Sequence, residues 1–478
     1  MKRYEQFAKQ ILQHIEDGTW LVGDRLPSLR ESVKLSGLSL MTVVQSYQLL
    51  ESQGWIASRP QSGYYVTKRL QPFAAVKGGK RLHLSESVEI SASIFDVLQA
   101  CKDPSIIPFG SAFPDPSLLI QPKLTKALAA VARRIAPHSS LANLPPGNDK
   151  LRRNISRRYA MHGIHVSPDE VVITAGAMES LSFSLQSVTE PGDWVVIESP
   201  AFYGALQAIE RLRLKAVAIK TDPQNGIDLD ALEEVLQKYP VKACWLMTHF
   251  QNPLGGTMSA ENKSRLVNIL NSNQIVLIED DVYGELYFDQ QRPVPAKGLD
   301  SESNFMHCSS FSKCLAPGFR VGWVAAGKHA RKIQQLQMMS TVSASMPTQL
   351  AIADYLAEGG YDKHLRRLRR ILEQRQHQML RAIGDYMPES VKVNRPKGGY
   401  FLWLEFEPLF SAERLYQLAL AEGISIAPGS MFCTSEQFKH AFRLNASFDW
   451  NEEMERAMQT LGHLCHTLLA ECGNISHN

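Results

Sequence analysis

SSFSKCLAPGFRVGW, residues 309–323, decides how the larger part of this chain is read. Lys313 follows a small hydroxyl residue, Ser312, on a short link after an apolar strand, where its amine can form an imine with an aldehyde cofactor. Arg320, seven residues on, can clamp that cofactor's phosphate, because a planar guanidinium matches two phosphate oxygens at once. A Ser-Lys pair alone is an ordinary solvated surface feature. It gains weight from partners upstream, each placed just past an apolar run.

Those runs are 171–174, 194–197, 244–248 and 275–278. The first leads into Ala175-Gly176-Ala177-Met178, a helix start whose free amides suit a phosphate. The second leads to Glu198-Ser199-Pro200-Ala201-Phe202, the third to Gln251-Asn252-Pro253, and the fourth to Glu279-Asp280-Asp281-Val282-Tyr283. Beyond residue 92 strands alternate with helical stretches, the pattern of an α/β domain with a mostly parallel sheet. Such sheets bind ligands just past the carboxyl ends of their strands.

These residue types are what pyridoxal 5'-phosphate requires. Asp280 against the ring nitrogen keeps it protonated, so that the ring draws electrons. Asn252 and Tyr283 can each hydrogen-bond the phenolate oxygen, and Phe202 can stack on the ring. Lys313 forms the imine and can later move a proton as general base. Ser310, Ser312, Arg320 and the amides of Ala177 and Met178 cradle the phosphate. Taken singly, Asn252-Pro253 also reads as a turn, Phe202 as core and Asp280 as a helix cap. The ordered set reads as a cofactor site.

A second reading begins at the N-terminus. Tyr4, Phe7, Ala8, Ile11 and Ile15 recur at helical spacing and predict a helix over 3–17. In GDRLPSLRESVKLSG, Ser28 and Glu31 form a capping box that starts a short second helix ending near Ser36-Gly37. Ser39 can cap a third helix running to Gln53, with Val43, Tyr47 and Leu50 facing inward. Two strands, 55–58 and 64–67, then flank a tip that holds Arg59 and Gly63. Helix, tight turn, helix and hairpin wing make a winged helix-turn-helix, whose third helix enters the major groove.

At 478 residues the chain is too long for one ordinary core. Residues 1–83 carry twelve Lys/Arg against six Asp/Glu, a net +6, whereas the remainder carries −3. That asymmetry fits an N-terminal part that meets a polyanion, or simply a solvated charged surface. Seven cysteines without a CxxC pair predict free thiols and no metal site. No apolar run is long enough to span a bilayer, and no signal core opens the chain, so a cytoplasmic protein without membrane contact is expected.

The first seventy residues resemble the GntR family of bacterial regulators, through GDRLPSLRE, the helix LSLMTVVQSYQLLESQGW and the wing RPQSGYYV. That resemblance implies double-stranded DNA as partner. Arg25 and Arg30 would contact phosphates or bases near the second helix. Ser39, Met41, Thr42 and Gln45 would face the groove, with Arg59 and Gly63 on the minor-groove side. Ser39 reads equally as a cap, and Thr42 as a solvent-facing residue.

The body, about residues 105–470, resembles the fold-type I aminotransferases, with further matches at FGSAFPD (109–115), KGGYFLWLE (397–405), APGSMF (427–432) and RLNAS (443–447). The resemblance implies a mostly parallel sheet with a smaller α+β subdomain, and Arg443 as the grip on a substrate α-carboxylate. One departure is Ala142, which stands where the family usually carries a tyrosine donated across the dimer to the phosphate. The expected division is a DNA-binding domain at 1–69, a flexible basic linker at 70–91 and the pyridoxal phosphate-binding body at 92–478.

The joint architecture resembles the MocR-type regulators of the GntR group. It implies a transcription regulator whose body senses pyridoxal phosphate or an amino compound, acting as a homodimer, with each head crossing to the other protomer in a head-to-tail arrangement. An aminotransferase with secondary or autoregulatory DNA binding is the alternative.

Overall fold

The computed structural model describes residues 2–59, 62–67, 82–85, 92–119, 122–135, 143–433 and 436–475. The N-terminal part consists of helices α1 (Arg3–Glu16), α2 (Leu29–Ser36) and α3 (Leu40–Ser52) and strands β1 (Ile56–Arg59) and β2 (Gly63–Val66). The expected capping box is present: Glu31 N–H donates to Ser28 Oγ at 3.3 Å, and Ser28 N–H to the Glu31 carboxylate at 2.7 Å. Gly37 closes α2 at φ +69°, a left-handed cap that costs a glycine nothing. Ser39 caps α3, and the helix ends at Gln53 as its pattern requires. Ala8, Ile11, Val43, Tyr47, Leu50 and Ile56 fill a core of their own, locked by Tyr47 Oη donating to Pro27 O at 2.8 Å. The wing strands pair antiparallel, each shifted by one residue from its expected limits.

The body runs β3 (Leu82–Ser85), α4 (Ala92–Ala100), α5 (Pro122–Arg134), α6 (Asp149–Met161), β4 (Val171–Thr174), α7 (Ala177–Val188), β5 (Trp194–Ser199), α8 (Tyr203–Arg211), β6 (Lys215–Asp222), β7 (Gly226–Ile227), α9 (Leu229–Lys238), β8 (Val241–Leu246), α10 (Ala260–Ser272) and β9 (Val276–Asp280). It continues through β10 (Met306–Ser310), β11 (Gly322–Ala325), α11 (Ala330–Ser340), α12 (Met346–Ala357), α13 (Gly360–Tyr386), β12 (Lys392–Val393), β13 (Phe401–Glu405), α14 (Ala412–Ala421), β14 (Ala427–Pro428), β15 (Ala441–Asn445) and α15 (Glu452–Ile475).

The large sheet is ordered β3-β6-β5-β8-β9-β10-β11-β4, with β7 beside β6. Strands β6, β5, β8, β9 and β10 are parallel, and β11 is inserted antiparallel between β10 and β4. Consecutive strand residues enter different cores: Val195, Ile197 and Ile278 pack on one side, Val196, Val217 and Leu277 on the other. A sheet covered by helices on both faces must be apolar on both, which is why these strands read as unbroken apolar runs. A second, antiparallel sheet, β12-β13-β15-β14, packs with α4, α13, α14 and α15 around Trp403, Phe432 and Phe442.

Most of the expected linker, 70–91, lies outside the described residues. One part differs from expectation: Leu82–Ser85 forms β3, antiparallel to β6, in register from Leu82 opposite Ile219 to Ser85 opposite Ala216. Four residues are too few to show periodicity. What orders them is the free hydrogen-bonding edge of β6, an interaction between backbones that side chains do not advertise. The described residues hold no disulfide, no metal-binding cluster of His, Cys, Asp or Glu, and no helix long and apolar enough to cross a membrane.

Candidate cofactor site and nucleic-acid interface

Every strand that sequence reading singled out delivers its polar residues at its carboxyl end, and the ends converge. Lys313 lies just past β10, half-buried, with Nζ donating to Ala112 O at 2.9 Å and standing 4.1 Å from the centre of the Phe113 ring. Burial, with Arg443 and Arg320 nearby, pushes its pKa down to about 7. A neutral amine at physiological pH is a nucleophile, whereas an ordinary protonated lysine is not. Tyr400 Oη donates to the same Ala112 carbonyl at 3.0 Å.

Asp280 closes β9 in full burial, and burial together with the neighbouring Asp281 raises its carboxyl to about 7. Among the described residues its Oδ1 has no hydrogen-bond partner, nor does Nδ2 of the buried Asn252. An unpaired buried acceptor and an unpaired buried donor are costly, so both call for a ligand with complementary groups. A protonated ring nitrogen suits the first and a phenolate oxygen the second. Tyr283 is buried edge-on to Tyr400 and Phe401, at 5.6 and 5.4 Å between ring centres. Phe202 is the N-cap residue of α8, half-buried, with its ring over Gly204.

The phosphate side is equally compact. Gly176, at φ +107°, is the N-cap of α7, whose first amides, those of Ala177 and Met178, have no partner within the helix. Arg320, in a left-handed conformation at φ +50°, reaches across so closely that a Cβ on Gly176 would lie 2.5 Å from its Nη2. Its Nη1 donates to Ser312 Oγ at 3.5 Å and its Nη2 to Ala175 O at 3.3 Å, and Ser310 Oγ accepts from Ser312 N–H at 3.3 Å. A guanidinium, two hydroxyls and a helix N-terminus form a dianion cradle. The residues present therefore fit pyridoxal phosphate.

Arg443, on β15, is 1% exposed. Its Nη1 donates to Asn252 Oδ1 and its Nη2 to Gly110 O, both at 2.7 Å, and the guanidinium lies 4.1 Å over the Phe401 ring. No carboxylate of the described residues pairs with it, and burial lowers its pKa. A buried cation held only by neutral acceptors is a place for an incoming carboxylate. Ala142 lies outside the described residues.

Sequence reading missed the layer behind Asp280. Asp281 Oδ1 accepts from His249 Nδ1, and its Oδ2 accepts from His307 Nε2 and from Arg292 Nη2, each at 2.9 Å. His307 Nδ1 accepts from Tyr159 Oη at 2.7 Å, and Tyr159 Oη accepts from Trp323 Nε1 at 3.1 Å. The two histidines, beside an otherwise buried carboxylate, hold Asp281 well below the usual carboxylate range. The Asp-Asp doublet was the available signal, because adjacent residues leaving a strand point to opposite sides. Sequence reading also passed over Glu198, a buried carboxyl raised by burial to about 8.

In the N-terminal part, Ser39 Oγ accepts from Thr42 N–H at 3.2 Å and shares a hydrogen bond with Thr42 Oγ1 at 2.8 Å, so both hydroxyls serve the cap. Met41, 67% exposed, and Gln45 project from the same first turns of α3. Arg25 and Arg30 are exposed beside α2, and Arg59 lies 4.3 Å over the Tyr65 ring on the wing. Gly63, at φ +117°, leaves room for Arg25, whose Nε is 3.2 Å from where a Cβ would stand. Arg25, Arg59 and Gly63 are thus gathered on the wing, and Ser39, Met41, Thr42 and Gln45 at the start of α3.

Residues 114–461 match the family model for aminotransferase class I and II, and residues 3–66 that for bacterial regulatory proteins of the gntR family. The chain is 56% identical, over 97% of its length and 99% of the relative's, to an uncharacterized HTH-type transcriptional regulator of Escherichia coli, YdcR. It is 31% identical to the 2-aminoadipate transaminase of Thermus thermophilus, over 80% of this chain and 95% of the enzyme. Among solved structures, LysN, the alpha-aminoadipate aminotransferase of Thermus thermophilus complexed with N-(5'-phosphopyridoxyl)-L-leucine, superposes with a TM-score of 0.72 at 30% identity, covering 80% of this chain and 96% of that one.

Proposed function

Because the chain belongs to the class I and II aminotransferases and carries a GntR head in the MocR-type arrangement, we propose that it is a transcriptional regulator whose hold on DNA responds to pyridoxal phosphate or to an amino compound. The observation that carries this reading is the presence, in one chain, of a winged helix-turn-helix and a convergent set of Lys313, Asp280, Arg320 and Arg443. The name of the Escherichia coli relative points the same way. The proposed division is a head at 1–69, a connection at 70–91 and a body at 92–478, working as a cytoplasmic homodimer whose paired heads read two half-sites.

Bound in the body, pyridoxal phosphate supplies an aldehyde carbon open to amines and a ring that draws electrons. Arg320, Ser310, Ser312 and the amides of Ala177 and Met178 would hold its phosphate, Asp280 its ring nitrogen, Asn252 and Tyr283 its phenolate oxygen, and Phe202 a ring face. The neutral amine of Lys313 would attach it covalently and later take or return a proton. Arg443 would orient an incoming amino acid by its carboxylate.

The coupling to DNA would run through the loop at 109–115. Gly110 O is held by Arg443, and Ala112 O by both Lys313 and Tyr400, so a ligand that engages Arg443 and Lys313 frees Gly110 O and leaves Ala112 O to Tyr400 alone. The loop follows β3 and α4 in the chain, the two body elements nearest the head in sequence. A ligand bound more tightly in one arrangement shifts the protein toward it. Capturing genomic DNA fragments with the pyridoxal-loaded protein at physiological salt tests the reading. Reproducible enrichment of a few promoter fragments, altered by amino acids, is expected; salt-sensitive binding without selection would refute it.

The second reading, an aminotransferase, rests on the chemical set including Arg443, and on the transaminase relative. Repeated turnover with a keto acid acceptor would favour it, whereas a single stoichiometric conversion favours the sensor.

A further inference from the structure

Helix α13 is 27 residues long and carries seven Lys/Arg against three Asp/Glu. Its inner side is buried through Tyr361, Leu365, Leu368, Leu372, Met379 and Leu380. Where the fold uses an arginine of this helix structurally, it supplies a partner. Arg369 reaches the Glu285 carboxylate at 3.1 Å and its backbone carbonyl at 2.6 Å, and Arg375 reaches Asp115 and Asp449 at 2.9 Å. Lys363, Arg366, Arg367 and Arg370 are different. They follow the i, i+3, i+4, i+7 spacing of one helical stripe, all are exposed, and none makes an ion pair or side-chain hydrogen bond among the described residues.

Neighbouring acids do not neutralise the stripe. Asp362 is engaged by Arg158 at 2.9 Å, and Glu285 by Arg158, Arg292 and Arg369. Glu373 is half-buried, and Asp385 sits at the far end of the helix. Arg381 is exposed and, eighteen residues after Lys363, returns to the same face, so the stripe runs about 27 Å at 1.5 Å per residue. Such a straight, uncompensated row of cations, in a chain whose residues beyond 83 are net negative, suits a linear polyanion.

We propose that the exposed face of α13 is a second DNA-contacting surface, which grips the phosphate backbone of duplex flanking the site read by the head. This rests on the regulator reading. Arginine and lysine in such a row add affinity without sequence preference and make it salt-dependent, by about 0.9 in the slope of log K against log salt for each phosphate neutralised.

The test compares the full-length, pyridoxal-loaded protein with K363Q/R366Q/R367Q/R370Q on two duplexes made from a fragment recovered by genomic capture. One spans the head site only; the other adds about three helical turns on each side. The wild-type dimer, with four such cations on each of two bodies, should show a salt slope steeper by about 7 on the long duplex, or about 3 to 4 for each body engaged. The variant should lose that difference, keep its affinity for the short duplex, and keep the wild-type absorbance of bound cofactor. Equal slopes for variant and wild type on the long duplex would overturn the inference and leave the regulator reading standing. So would a loss confined to anionic phospholipid vesicles. A wild type that selects no genomic fragment would remove the regulator reading, and this inference with it.

Discussion

Replacing Arg443 with methionine separates ligand recognition from folding more cleanly than any other change in this site. The guanidinium makes two hydrogen bonds, to Asn252 Oδ1 and Gly110 O, and lies over the Phe401 ring, with no carboxylate of the described residues paired to it. Hydrogen bonds to a charged group contribute about 1.5–3 kcal/mol each. Burying a charge without its counter-ion costs several kcal/mol, which offsets most of that gain. Methionine keeps the apolar contact and removes both contributions. The thermal midpoint of the variant should therefore move by only a few degrees. Affinity for an amino acid should fall much further, because removing one side of a buried charge pair costs about 2–5 kcal/mol. That corresponds to about 30- to 5,000-fold in affinity. The assay is titration of the pyridoxal-loaded protein with an amino acid and with its decarboxylated amine, followed by absorbance. The amine should bind wild type and variant alike. A variant that loses both compounds equally, or that melts far below the wild type, would make Arg443 a structural pillar and refute the reasoning.

Four further outcomes are expected. Lys313→Ala should abolish the absorbance band of covalently held pyridoxal phosphate in a spectrum of the purified protein. Stripped of cofactor, the wild type should gain stability as pH rises from about 7 toward the ordinary lysine value of 10.5, because across that window the unfolded chain binds a proton that the folded chain refuses; Lys313→Ala should flatten this gain in denaturant titrations. Asp281→Asn leaves Glu285 as the remaining carboxylate beside the buried Arg292 and weakens the charged hydrogen bonds to Arg292, His249 and His307, which should cost about 1.5–3 kcal/mol in denaturant unfolding at neutral pH; since the native carboxyl is depressed, that contribution is full above the usual carboxylate range and is lost as pH falls below it, so wild type and variant should converge in acid. Ser28→Ala removes the acceptor for Glu31 N–H and should cost the helix-turn-helix about 1 kcal/mol, read as an earlier loss of head signal in hydrogen exchange.

What sequence revealed and what it withheld divide along one physical line. Caps are local: Ser28 and Glu31 lie three residues apart, and Ser39 meets the amide three residues on, so side-chain chemistry and chain direction fix them before any tertiary contact forms. The apolar runs before Phe202, Asn252 and Asp280 were legible for a similar reason, since a strand buried on both faces offers few polar positions until it ends, whereas the strand before Lys313 holds buried His307 and Ser309 within it. Insertion of β11 between β10 and β4 had no such marker, because antiparallel pairing inside a parallel sheet is settled by neighbours, not by composition. Strand β3 was missed because its partner is a backbone edge.

The partners of the reactive groups were hidden for the same cause, and they matter most for function. Lys313 and Tyr400 both point their donors at Ala112 O, from 201 and 288 residues away, and Arg443 reaches Gly110 O from 333. A backbone carbonyl is the same in every residue, so the motif FGSAFPD marks the loop at 109–115 without showing which of its carbonyls the reactive side chains hold. Yet the two carbonyls take up hydrogen bonds that an amino acid, by its amine and its carboxylate, would compete for. In a pocket serving catalysis alone, tying both reactive side chains to one segment positions them and goes no further. A body whose occupancy must be felt along the chain gains more, because displacement of that segment is the first mechanical consequence of binding. The loop is also where the two readings part: a turnover enzyme should tolerate a stiffened loop at some cost in rate, whereas a sensor with such a loop should bind its ligand and leave its DNA affinity unchanged.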